Sequence, residues 1–278
     1  MVTGSPMRRY LLSALTLVVF TAIFVLPFVF VLLQAMKTRQ EAALLQFSLP
    51  TEVVLWDNIV QVFQARDYML VTAFINSTIL TVASVTLMVV FAAMVGYVLQ
   101  RRLTRWTGFI NFLVLAGLII PPAVVPTIWV LQGLGLFRTL TGLIFIEVAF
   151  GLSFSVLLFR AFMSTIPRQL DEAAVIDGAG PIRTFFQVVF PLMRSVAVTV
   201  IVVQSVQVFN DFVHPLYFLP GDENATVQLT LYNFQSQFEA QYNLLFADIL
   251  LITIPPLLMF IFFNKKIVAG MTAGAVKG

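Results

Sequence analysis

Six long apolar runs organise the chain, covering Leu11–Gln34, Val71–Leu99, Phe109–Leu131, Leu140–Met163, Val196–Tyr217 and Leu244–Phe263. About 20 apolar residues, each rising 1.5 Å along a helix, cross a hydrocarbon core about 30 Å thick. All six runs reach that length, and a helix satisfies its own backbone hydrogen bonds without water. The pattern therefore predicts an all-α integral membrane fold with six transmembrane helices. Pro121-Pro122 and Pro126 predict a break in the third helix, and Pro255-Pro256 one in the sixth, because proline removes a backbone donor. The first run follows Arg8-Arg9, as a signal peptide would, yet it exceeds the 7–15 residues of an h-region. No small-x-small cleavage site follows it before Lys37, so it reads as a retained helix.

Composition agrees with lipid as the surrounding solvent. The chain is 60% hydrophobic and 10% charged, whereas a soluble domain carries about 25% charge. There is no cysteine, which removes disulfides, thiolate metal sites and cysteine catalysis. A net charge of +3 makes no case for a nucleic-acid partner. The placement of the charge is more informative than its total. With the N-terminus in the cytoplasm, the inner side holds Arg8, Arg9, Arg101, Arg102, Arg105, Arg160, Arg168, Arg183, Arg194, Lys265, Lys266 and Lys277. These are 12 of the 16 Lys and Arg, leaving Lys37, Arg39, Arg66 and Arg138 outside. That split follows the positive-inside rule and puts both termini in the cytoplasm.

The organisation that follows is an N-terminal helix and outer segment (1–70), a five-helix core (71–264) and a C-terminal tail (265–278). An inner loop at 164–194 interrupts the core, and an outer loop covers Leu219–Asn243. Long ordered loops tend to be functional. In the inner loop, Pro167 suits a first helical turn, with Ser164 or Thr165 as cap. Asp171 and Glu172 then lie near the positive end of the helix dipole, and Gly178 can take positive φ and end the helix. Gly180-Pro181 makes a second break, Ile182–Val189 a second short helix, and Pro191 a stop. By pattern alone the favoured reading is an ordinary amphipathic connector.

Glu172-Ala173-Ala174, then Gly178, a hydrophobic stretch and Pro191-Leu192 resemble the EAA motif of bacterial ABC import permeases. Asp177-Gly178-Ala179 and Phe185 resemble its carbohydrate branch. Asn76-Ser77 resembles the Asn-Ser that opens the family's transmembrane core. Phe209-Asn210-Asp211-Phe212 resembles its Trp-Asn-Glu/Asp-Phe, and Val268–Gly278 the tail of maltose-type second permeases. Arg194 departs from the family, where many members carry proline. The resemblance implies the type I importer fold and a bacterial or archaeal inner-membrane subunit. It also implies a sister permease, two ATPase subunits, an extracytoplasmic sugar-binding protein and a sugar, oligosaccharide or polyol cargo, the alternative being a non-sugar solute such as glycerol phosphate. Glu172, Ala173, Ala174, Asp177, Gly178 and Ala179 would form the helix that docks on the ATPase. No Gly-x-x-x-x-Gly-Lys-Ser/Thr phosphate loop occurs, so ATP and Mg would be bound by the partner, with no cofactor or metal in this chain.

Polar groups within a bilayer are expensive and face a cavity or a partner helix. Gln204, Gln207 and Asp211 fall on one helical face, with Asn210 beside it and Asn76 on the second helix. These residues are candidates for the translocation path, with interhelical glue as the competing and favoured reading. Glu147 is a membrane acid with no partner nameable from sequence, and His214, the one histidine, is too isolated for a metal site. In the outer loop, Asn233, Gln235 and Phe238 are candidates for binding-protein contact, against a plain solvated loop. A membrane enzyme built on Asp248, Glu147 or Asp211 would need a second catalytic group that the sequence does not supply. A secondary transporter coupled through Glu147 or Asp248 would leave the inner loop unexplained.

Overall fold

The apolar runs fold as helices in the computed structural model, which describes residues 6–102, 104–235 and 240–275, with side chains over 12–263 of these. Helix α1 (Pro6–Ala35) leads into an outer segment with α2 (Arg39–Ala42) and α3 (Leu55–Gln64). Then follow α4 (Met69–Arg101), α5 (Thr107–Ile119), α6 (Val124–Gly133), α7 (Leu140–Met163) and α8 (Gln169–Ile176). The next stretch is helical throughout: α9 (Pro181–Arg183), a π-helical segment (Thr184–Val189) and α10 (Phe190–Leu192). The chain continues through α11 (Arg194–Phe209), α12 (Val213–Phe218), α13 (Val227–Thr230) and α14 (Tyr242–Ala275). Among the described residues, four helices are long and apolar enough to cross a membrane, and two bent pairs bring the number to six if each pair is one span.

The prolines act differently from one another. Ile120 is extended (φ −72°, ψ 120°), the conformation favoured before proline. Pro121 and Pro122 follow, and α5 and α6 meet at 119°. Pro126 sits in the first turn of α6, where no backbone donor is needed, and does not break it. Pro255-Pro256 do not end the helix, because α14 continues through both residues. A membrane helix tolerates such prolines when neighbours absorb the freed carbonyls.

The chain divides into two compact units. The first combines Met1–Leu70 with Thr230–Ile254. Its polar centre is Asn58, 2% exposed, whose Nδ2 donates to the carbonyls of Ala35 (2.8 Å) and Lys37 (3.0 Å). Its Oδ1 accepts from Asn243 Nδ2 at 2.8 Å. The second unit combines Val71–Leu229 with Pro255–Gly278. Its core joins α4 (Leu80, Met88, Ala92), α7 (Phe159, Met163), the π-helical segment (Val189) and α11 (Val200), all fully or nearly fully buried.

Close approach is set by a glycine at the start of α7. A β-carbon at Gly142 would overlap the carbonyl oxygen of Leu136, a backbone atom that cannot swing aside. Gly142→Ala is therefore expected to destabilise the folded chain by about 1–3 kcal/mol, the usual range for overpacking. Thermal unfolding in detergent measures this, and an unchanged midpoint would contradict it.

Candidate functional site

The inner loop is built by its ends. Asp171 and Glu172 lie in the first turn of α8, as expected, but the expected caps do not form. Ser164 Oγ and Thr165 Oγ1 instead donate to the carbonyls of Ala161 and Phe162, each at 2.7 Å, closing α7. What fixes α8 is an ion pair across the loop, Arg101 Nε to Asp171 Oδ2 at 2.6 Å.

At the other end, Gly178 takes φ +80°. Its N–H reaches the Val175 carbonyl at 3.0 Å, and the Ala179 N–H reaches that of Ala174 at 2.9 Å. This paired closure satisfies the last carbonyls of α8 and needs a left-handed residue at position 178. Nothing else crowds Gly178, so the backbone angle alone demands glycine. Ala174 packs inward, while Glu172, Ala173 and Asp177 are exposed and Ala179 is half-buried. Val175 and Ile176 are also exposed, at 63% and 86%. A short helix that turns large apolar side chains to water at its tip has the composition of a docking surface.

Later in the loop, Pro191 does not stop the helix as expected. The preceding register is widened, with the Phe190 N–H bonded to the Phe185 carbonyl, and this brings Pro191 into the first turn of α10. The break comes two residues later at Met193, where the direction changes by 77° into α11.

The polar stripe expected on the fifth membrane helix does not exist as one face. Helix α11 ends at Phe209, so Asp211 belongs to the joint before α12 rather than to the helix that carries Gln204 and Gln207. Gln204 is buried, and its Nε2 donates to the Gly151 carbonyl and Ser155 Oγ, both at 3.2 Å. It thus ties α11 to α7. Gln207 and Asn210 are exposed. Asn210 Nδ2 closes the end of α11 on the Val206 carbonyl at 2.9 Å, and its Oδ1 accepts from Gln228 at 3.2 Å. Asn76, on α4, donates to the carbonyls of Glu223 (3.3 Å) and Ala225 (3.1 Å).

The joint also gathers residues that the sequence left apart. His214 Nδ1 lies 3.1 Å from Glu147 Oε1 and in contact with Asp211 Oδ2. Asp211 Oδ1 accepts from the N–H groups of Val213 (2.8 Å) and His214 (3.2 Å), orienting the carboxylate. Phe150 stacks on the imidazole at 4.8 Å. The His214 ring is therefore not isolated. The three donor groups lie within 4.8 Å, close enough to share a cation, although the imidazole itself bridges the two carboxylates. A 67-residue separation between Glu147 and His214 leaves no periodic signal by which sequence could pair them.

In the outer loop Gln235 is exposed and Asn233 half-buried, its Nδ2 set against Met69 Sδ at 3.3 Å. Phe238 lies outside the described residues, as do the side chains of the C-terminal tail.

Residues 88–273 match the family of binding-protein-dependent transport system inner membrane components. The chain belongs to this family. It is 30% identical over 97% of both chains to a probable starch degradation products transport permease of Thermoanaerobacterium thermosulfurigenes. It is 31% identical to a diacetylchitobiose uptake permease of Streptomyces coelicolor, over 99% of this chain and 91% of the relative. Over 74% of this chain and 76% of the relative, it is 33% identical to a melibiose/raffinose/stachyose import permease of Bacillus subtilis. The fold is that of a bacterial ABC transporter involved in the import of alginate, with TM-score 0.81 and 18% identity over 95% of this chain and 98% of that one.

In this permease the joint of the fifth helix depends on His214. His214→Leu would leave the Glu147 carboxyl, its side chain 5% exposed, without that partner. A loss of about 3 kcal/mol is expected, with His214→Gln recovering part of it. Thermal unfolding of the two variants in detergent checks the order.

Proposed function

We propose that this permease takes up a sugar, oligosaccharide or related polyol, forming the translocation path with a sister permease. Energy comes from two separate ATPase subunits, and cargo from an extracytoplasmic binding protein. The chain is oriented with both termini in the cytoplasm, which puts α8 on the ATPase side and the 219–243 loop toward the binding protein. The observation that carries the reading is α8 itself. It is exposed, apolar at its tip, closed by the left-handed turn at Gly178 and carries Glu172 in its first turn. The sugar class is supported by the carbohydrate systems named for the relatives.

Within the path, Gln207 and Asn210 are the candidates for hydroxyl contact, since both are exposed amides at the joint. Gln204 acts as interhelical glue, its amide being committed to α7. Asn233 and Gln235 remain candidates for contact with the binding protein.

Two substitutions test the docking assignment. Glu172→Lys reverses the charge on the exposed face, and Gly178→Val forces a β-branched residue to positive φ, at about 1–3 kcal/mol of local strain. Both are expected to reduce co-purification of the ATPase and uptake by roughly tenfold or more, the change that 1.4 kcal/mol of lost affinity produces. Unchanged assembly and uptake would remove α8 from the docking role. The cargo class is checked by thermal shift of the cognate binding protein against a panel of oligosaccharides.

A further inference from the structure

One helix holds both the inner and the outer loop of the second unit. At its inner end, Arg101 of α4 makes the 2.6 Å ion pair with Asp171 and donates through Nη2 to the Ile166 carbonyl at 2.8 Å. The Arg101 and Asp171 side chains are 8% and 16% exposed, so water screens the pair little. One residue earlier, the Gln100 carbonyl accepts from Arg168 Nη2 at 3.4 Å. One turn earlier, the Tyr97 ring packs on Phe185 with centroids 5.4 Å apart. At its outer end, Asn76 Nδ2 donates to the Glu223 and Ala225 carbonyls. Ser77 Oγ, 2% exposed, accepts from the Val227 N–H at 3.0 Å. Between these moorings α4 contains no proline and no break, while α5 meets α6 at 119° and α10 meets α11 at 77°. From residue 76 to 101 the helix spans about 38 Å at 1.5 Å per residue.

We infer that α4 is the strut that carries motion of the ATPase-docking helix to the outer loop at 222–227, with Arg101 as the positioning residue that joins α8 to it. The inference rests on the docking role of α8. Helix α8 is eight residues long, largely exposed, and packed on one side against the π-helical segment. The contacts at Gln100 and Arg101 tie the N-terminal end of α8 to α4, and Tyr97 ties the π-helical segment to the same helix. A displacement of α8 is delivered to α4 through a largely buried charge pair and two carbonyls, groups that cannot slip without losing their partners. The outer moorings are backbone groups of the loop itself, so shifting α4 along its axis shifts that loop.

The absence of cysteine provides the test, because a single introduced thiol reports one place. Glu223→Cys, at an exposed side chain of the outer loop, is labelled with a membrane-impermeant maleimide. The assembled complex, with sister permease and ATPase in liposomes, is compared with and without ATP plus vanadate. An ATP-dependent change in labelling rate is expected. Arg101→Gln should shrink that change about fivefold, within the range of energetic coupling through packed networks, while the ATPase still co-purifies. Arg101→Lys should restore part of it, and Asp171→Asn combined with Arg101→Gln should be no worse than either alone. Ser77→Ala should act in the same direction from the far end. Arg160→Gln, which breaks a bond to Asn111 and touches neither loop, should leave the change intact.

Four results would overturn the inference. They are no ATP-dependent change in the Glu223→Cys parent, a full change in Arg101→Gln, additive losses in the double variant, or loss of ATPase co-purification on Arg101→Gln, which would make Arg101 part of docking itself. Failure of the docking assignment is distinguishable, since it shows as unimpaired ATPase co-purification on Glu172→Lys and Gly178→Val.

Discussion

Lipid offers no hydrogen bonds, and the structure is governed by that constraint. A helix that crosses the membrane satisfies itself, so every place where the backbone leaves the helix must carry its own remedy. At Ile120 the remedy is a pair of prolines that have no donor to satisfy. At Phe209 the Asn210 amide returns to the Val206 carbonyl, and Asp211 takes up the first N–H groups of α12. At Gly178 a left-handed turn closes the last carbonyls of α8. At each of these departures a polar side chain or a special backbone residue takes up the groups that the helix leaves open.

This gathering links folding to transport. The joint at Asn210–Phe212 is held to α7 by His214 and Glu147 and opens amides to the surface. The inner loop is held to α4 by Arg101 and leaves Glu172, Val175 and Ile176 outward. In both places buried polar contacts fix a backbone departure, and the exposed groups beside it are free to meet a partner. In the inferred coupling, one unbroken helix tied to a loop at each end is the arrangement by which a small displacement at one face reaches another.

The spans were legible in the sequence because burial in lipid imposes a requirement on every residue of a 20-residue window. The fourth run matches α7 residue for residue. Gly178 was legible for a similar reason, since few residues other than glycine accept its backbone angle cheaply. The caps of α8 were misjudged because Ser164 and Thr165 have carbonyls of α7 within reach, and local pattern does not say which helix end a hydroxyl serves. Pro191, expected as a stop, lies inside the first turn of α10, and Pro255-Pro256, expected to break the sixth helix, leave α14 continuous. A proline ends a helix only if the freed carbonyl has no other recourse, and recourse is a matter of neighbours.

The sequence by itself determined the helical membrane fold, the boundaries of most spans, the family motif and the inner loop that carries it. These depend on local composition and on backbone geometry within a few residues. Only the tertiary structure decided the partners: Glu147 with His214, Gln204 with Gly151 and Ser155, and Arg101 with Asp171. Each pair joins residues tens of positions apart. A polar side chain in an apolar helix announces that it needs a partner, and only the packing of the helices chooses which one.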